Sequence, residues 1–304
     1  MPQALLAPMP YADWEKTKTT LHLWCQIVGK IKLRYSAHRN HWWNVALRPT
    51  ARGPTTGLMA AGDTYFEFEF DFIEHRLVLR SNRERAASGF ALEDGLSVAE
   101  FYRNVLASLA DIGIEARIVA KPYGVPMNVP FPDDREHRSY DATAVHRWFD
   151  ALLWTTSVFE TFAGEFSGKQ SPVQIFWHTL DLAMGRYSGR LAGGAPRDDV
   201  VQQEAYSHEV IAFGFWAGDA NVPAPTFYTY TAPEPGDLTE HTLAPPQAGW
   251  FPSGAGHIGA LPYDVVRESP DPRATLLAFL AAGYEAGTRT AHWDASSLAS
   301  TFPG

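Results

Sequence analysis

The sequence predicts an α+β protein of two related halves, each a mainly antiparallel sheet with a covering helix, packed together as a pseudo-symmetric duplication. Three observations carry this prediction. Residues 21–36 and 173–188 match at an offset of about 152 positions, with Leu23-Trp24-Cys25-Gln26 over Ile175-Phe176-Trp177-His178 and Arg34-Tyr35-Ser36 over Arg186-Tyr187-Ser188. Strict apolar/polar alternation marks strands in the first half, and a Val173–Tyr187 strand resumes the repeat in the second. A helical spacing that ends at glycine also recurs, Phe101, Tyr102, Val105 and Leu106 before Gly113 being echoed by Thr275, Leu276, Phe279 and Leu280 before Gly287.

From Thr19 to Tyr35, Leu21, Leu23, Cys25, Ile27, Ile31 and Leu33 alternate with His22, Gln26, Lys30, Lys32 and Arg34, the pattern of a half-buried strand. A second strand is expected over His41–Arg48. A third is expected over Tyr65–Phe72, where Phe66, Phe68, Phe70 and Phe72 alternate with Glu67, Glu69 and Asp71. Basic and acidic polar faces on neighbouring strands suit cross-strand pairing, or simply a solvated sheet face. His75–Arg80 continues as strand, Val98–Ile112 reads as a helix, and Ile114–Ala120 returns as strand. These elements make a first repeat of residues 1–120. Residues 121–140 are a proline-rich linker. Residues 141–304 hold a helix capped by Asp141 with a stripe of Val145, Trp148, Phe149, Leu152, Phe159 and Phe162, which has no first-half counterpart and bridges the copies. A strand over Val173–Tyr187, another from Ser207-His208 and a long loop-rich stretch over 217–262 follow.

Composition bounds the function. With 304 residues, 45% hydrophobic and 19% charged, the chain has ample material for a buried core. Its net charge of −9 is uneven: residues 1–120 carry 14 Lys+Arg and 13 Asp+Glu, residues 121–304 carry 11 and 21. An acidic surface without a basic stripe repels phosphate backbones, which argues against nucleic acid. A single cysteine forms no intrachain disulfide, the N-terminus has no signal-peptide pattern, and no apolar run reaches membrane-spanning length. A cytoplasmic protein without a membrane partner is expected.

Thr20-Leu21-His22-Leu23-Trp24 with Gln26-Ile27-Val28-Gly29-Lys30, Ser171-Pro172-Val173 leading to Asp181-Leu182-Ala183, and Ser207-His208-Glu209-Val210 with Phe213-Gly214-Phe215-Trp216 resemble a bacterial family of unknown function, DUF5996. The resemblance spans nearly the whole chain. It implies no reaction and no catalytic residues.

Chemistry is therefore read from the residues. His178 and Asp181 in one expected strand, with His208 and Glu209 opening another, offer imidazole and carboxylate ligands for a divalent transition metal. Strand geometry places His178 and Asp181 on opposite faces unless a bulge intervenes, so His178 and His208 are the better metal pair, with Glu234, His241 and His257 as further donors. The alternative is histidines hydrogen-bonded within an aromatic core. His22 and His41 are weaker candidates. Lys169, Arg186 and Arg190 suit an anion clamp, or structural ion pairs. Trp42, on the polar phase, suits stacking of a planar ligand, while Trp43 falls on the apolar phase. Gly254–Gly259 matches a dinucleotide fingerprint in letters, but Pro252 and Pro262 deny it the strand and helix it needs, leaving a glycine loop that carries His257. Cys25, on the apolar phase, reads as a buried thiol.

These residues suggest an enzyme acting on a small polar or anionic molecule, assisted by a metal on His178 and His208. Asp181 or Glu209 then acts as base or ligand, Arg186 orients the substrate, and Trp42, Lys169, Arg190 and His257 bind it. The alternatives are a non-catalytic small-molecule-binding protein with an aromatic pocket, or a partner-binding module.

Overall fold

Residues 19–35, whose alternation reads as strand, lie in helix α1 (Glu15–Tyr35) in the computed structural model, which describes residues 6–193, 199–254 and 256–301. The reason is enclosure. Leu21, Leu23, Cys25 and Ile27 are buried, and so are His22, Gln26 and Lys32 from the other alternating phase. A helix covered on nearly every side has no polar face to display its 3.6-residue period. Glu15 in the first turn and Lys32 and Arg34 in the last complement its dipole. Burial pushes the Cys25 thiol up, as expected of an inert core cysteine.

The segment expected as a strand over 41–48 is instead a turn, with His41 and Trp42 in the left-handed region at φ 57° and 59°. The pairing at its end is by β1 (Arg48–Pro49) with β2 (Pro54–Thr55) and by Leu47 with Ile175. β3 (Met59–Ala61), β4 (Thr64–Asp71), β5 (Arg76–Ser81) and β6 (Ser88–Ala91) complete an antiparallel sheet in the order β1-β2-β4-β5-β6, with β3 against β4. The β4 phenylalanines face inward as expected. Its carboxylates pair with Arg80 of β5 and with Arg52, at 2.8 Å for Arg80 to Glu69 and 2.7 Å for Arg52 to Asp71, and not with the basic residues of α1.

Helix α2 (Val98–Asp111) starts at a capping box in which Ser97 and Glu100 satisfy each other's backbone N–H. Its Phe101 stacks on Trp24 of α1 at 5.0 Å. Residues 114–120 run without a ladder partner, so the strand expected there is absent among the described residues. Helix α3 (Ala142–Gly164) begins where Asp141 accepts from the N–H groups of Thr143 and Ala144.

The strand expected over 173–187 is a hairpin, β7 (Gln174–Phe176) and β8 (Asp181–Leu191), turned at 177–180 with Leu180 at φ 57°. After short α4 (Val200–Ala205) comes β9 (His208–Trp216). The expected 217–262 loop contains β10 (Thr226–Ala232), β11 (Gly249–Ser253) and β12 (Gly256–Pro262). The order is β11-β12-β10-β9-β8-β7, all antiparallel. Helices α5 (Tyr263–Arg267), α6 (Pro272–Thr290) and α7 (Ala295–Leu298) close the chain.

The class is α+β, with two six-stranded antiparallel sheets. The repeat at an offset of about 152 is not carried into structure, since residues 21–36 lie mainly in α1 and 173–188 in the β7–β8 hairpin. The sheets meet edge to edge where Leu47 and Ile175 exchange two backbone hydrogen bonds of 2.8 Å. One hydrophobic core runs through both halves, joined by α3, whose Trp148 and Phe149 pack on Phe72 while its Phe162 packs on Phe213. Among the described residues no helix is long and apolar enough to cross a membrane.

Candidate functional site

Alternation along β8 sorts its residues by face. Leu182, Met184 and Arg186 turn inward, and Asp181, Ala183, Gly185 and Tyr187 turn outward. The register places Ala183 beside Gly214 and Tyr228, and Gly185 beside Ala212 and Tyr230. Four small residues thus make a shallow floor on the outer face, and tyrosines lie across it. A Cβ on Gly214 would come within 2.1 Å of the Tyr228 ring, so only glycine permits that close approach. Tyr228 and Tyr230 stack at 6.2 Å, and the Tyr230 and Tyr206 hydroxyls are 3.0 Å apart.

At one end of this trough both Thr179 and Tyr228 donate hydrogen bonds to Asp181. Burial and the Asp181 charge push the Tyr228 phenol well up, so it is a donor at neutral pH. His178 is close by. Burial lowers its pKa against the opposing pull of Asp181. The α1 residues Lys18, His22 and Gln26, spaced four apart on one helix face, abut this end. Lys18 donates to the Gly218 carbonyl, and Gln26 clamps the Tyr123 backbone through bonds of 2.8 and 3.0 Å. Burial and then Lys18 hold His22 down to about 4, so its imidazole is neutral. Gln26 and His178 are not equivalent positions of a repeat; they belong to one neighbourhood.

At the other end, Lys169 lies beside Tyr187, whose N–H bonds the Lys169 carbonyl at 2.9 Å. The Lys169 Nζ is 2.7 Å from His41 Nε2, and it sits over the rings of Trp43 and Tyr187 at 5.7 and 5.2 Å. The His208 ring is 5.4 Å from that of His41. His41 Nδ1 is 3.1 and 3.2 Å from the carbonyl oxygens of Glu204 and Ala205. No carboxylate pairs with Lys169 among the described residues, and burial lowers its pKa.

Several expected site residues lie elsewhere. Arg186 is on the inward phase, 2% exposed, and its guanidinium lies 3.6, 4.5 and 5.0 Å from the rings of Phe162, Tyr284 and Phe166 while donating to the Phe162 carbonyl. It is a core cation and cannot reach a ligand on the outer face. Glu209 accepts from Arg190 at 2.7 and 2.9 Å, and Arg190 also donates to the carbonyls of Ala291 and His292 just past α6. The two form a partly exposed ion pair anchored to the end of α6. The Trp42 indole donates to the Val201 carbonyl at 3.2 Å, tying α4 down; Trp43 supplies the aromatic wall instead, because a turn and not an alternating strand carries both. His257 is held by Glu234 at 2.7 Å beside the β11–β12 turn.

His178 and His208 are not a metal pair. His208 opens β9 and Trp216, opposite Asp181, closes it. That run spans roughly 26 Å at about 3.3 Å per residue, whereas one ion needs both imidazoles at about 2 Å. Among the described residues no group of three or more His, Cys, Asp or Glu is placed to hold a metal ion. His41, a weaker candidate from the sequence, and Trp43, read as a core residue, are brought to Lys169 by the left-handed turn at His41 and Trp42.

No curated protein and no solved structure matches the chain. A family model described as a family of unknown function, DUF5996, matches residues 6–300, and the chain belongs to that family.

Proposed function

We propose that the outer face of the second sheet binds a small anionic organic molecule. Lys169 and His208 meet its acidic group, and Trp43, Tyr187, Tyr206 and Tyr230 wall its body. One observation carries the reading: a partly buried ammonium in the acid-rich half of the chain rests against an imidazole and two aromatic faces, with no carboxylate partner among the described residues. Partial desolvation strengthens its pull on an anion, and the rings favour a ligand with a flat or apolar body.

The test is thermal stabilisation across a panel of small mono- and dicarboxylates and inorganic phosphate. Binding to the folded state raises the melting temperature, and the rise continues with the logarithm of ligand concentration above Kd. Stabilisation by at least one anion, lost in Lys169→Gln and kept in Arg190→Gln, is expected. No response to any panel member, or an undiminished response in Lys169→Gln, overturns the reading.

A further inference from the structure

We propose that Lys169 is a nucleophilic amine that forms an imine with the carbonyl carbon of a small 2-oxo acid, with His41 as its proton acceptor. This rests on the reading of the trough as a ligand site and adds its chemistry. The hydrogen bonds of His41 assign its tautomer. Carbonyl oxygens only accept, so the Nδ1 facing Glu204 and Ala205 carries the hydrogen, and Nε2 presents its lone pair to Lys169 Nζ at 2.7 Å. An amine must lose a proton before it attacks, and the acceptor already lies on that N–H axis.

The imidazole is also fixed in place. His41 is buried, held in the left-handed region, and its ring is 4.4 Å from that of Tyr187 and 5.3 Å from that of Trp43. Burial, with Lys169 beside it, keeps His41 neutral, and burial favours the neutral form of Lys169. A carboxylate at this position would hold the lysine charged; among the described residues none does.

The step balances without a further reagent. Nζ passes a proton to Nε2, and its lone pair then forms the C–N bond while the carbonyl π pair moves to oxygen, which takes that proton back. A second Nζ proton follows the same route to the hydroxyl, which leaves as water as the C=N bond forms. Ammonium plus carbonyl becomes iminium plus water, with no change in oxidation state. The substrate class follows from the charge. A carboxylate adjacent to the carbonyl is drawn to the ammonium, which brings the carbonyl carbon to Nζ, and the iminium retains the positive charge beside it.

The test is incubation of the full chain with pyruvate and cyanoborohydride, followed by peptide mass mapping. Reductive adduct is expected at Lys169, ahead of exposed Lys16 and Lys121, which serve as internal controls. Lys169→Arg, which preserves charge and fold, should give no adduct at 169. His41→Asn, which tolerates the left-handed turn, should slow trapping at Lys169 on the order of a hundredfold with labelling of Lys16 and Lys121 unchanged. If an anion of the panel stabilises the wild type but Lys169 is not modified, the imine proposal fails and the anion site stands. If Lys169 is not modified and no panel anion stabilises the protein, both fail. Labelling spread evenly over the lysines, or trapping at the wild-type rate in His41→Asn, also overturns the proposal.

Discussion

Replacing Arg186 with methionine separates a core cation from a substrate clamp. Burial brings the guanidinium from 12.5 down to about 10, so the side chain is still charged at neutral pH. That shift corresponds to about 3 kcal/mol disfavouring the charged form. Against it stand three aromatic faces, each contributing on the order of 0.5–2 kcal/mol, and one hydrogen bond from the charged group, worth about 1.5–3 kcal/mol. The Nε–H has no partner, which returns some of that gain. The opposing contributions overlap in size, so the charge itself adds little net stability. A methionine fills the same aromatic cage without desolvating a charge, so Arg186→Met should change urea-unfolding stability by no more than about 1 kcal/mol or raise it, as replaced buried ions often do. Arg186→Ala leaves the cage empty and should cost about 2–5 kcal/mol by the cavity term. The assay is the urea midpoint at constant m value, with anion-induced stabilisation measured on the same samples. Two results would refute the reasoning. Loss of anion binding in a stably folded Arg186→Met protein would return Arg186 to the ligand site. A destabilisation by methionine as large as that by alanine would mean that the charge itself holds the core.

Three further outcomes follow from other contacts. Gly214→Val should destabilise by about 1–3 kcal/mol through overpacking, with Tyr228 displaced from Asp181; an unchanged melting temperature would contradict the close approach of the ring. Glu209→Gln, which weakens a partly exposed ion pair, should cost no more than about 1 kcal/mol and leave anion affinity intact, so reduced affinity would restore a binding role to Glu209. Because His22 is held at about 4 in the fold against 6.5 for a free imidazole, the unfolded chain takes up this proton first as pH falls, and stability should drop by about 3 kcal/mol between pH 6.5 and 4. His22→Gln should flatten that part of the stability profile, and a profile as steep as the wild type would remove His22 as its source.

Legibility in the sequence followed locality. The β4 alternation of Phe66, Phe68, Phe70 and Phe72 is a half-buried strand signature, and the structure shows that strand. The cap at Asp141 is decided within three residues, and its helix begins there. α1 was misleading because its polar residues are buried and hydrogen-bonded across the molecule: Lys18 to Gly218, Gln26 to Tyr123 and Lys32 to Ala46. Those partners, distant in sequence for Lys18 and Gln26, remove the contrast between faces on which periodicity depends. The apparent duplication had the same weakness, since a Leu-Trp-Cys-Gln run and an Ile-Phe-Trp-His run satisfy a helix and a hairpin equally well.

The sequence by itself determined the α+β class, the family, the strand expected over 65–72, the start of β9 and the cap that begins α3. It also named Lys169 and His208 as residues with useful chemistry. Only tertiary structure decided that Arg186 turns into the core, that Trp43 and not Trp42 lines the trough, and that His41 lies 2.7 Å from a lysine 128 positions away. Local alternation sets the face of a residue once its strand exists. The partner across a loop is set by where the left-handed turn at His41 and the segment of Lys169 beside β8 are packed together, and no period in the chain encodes that distance.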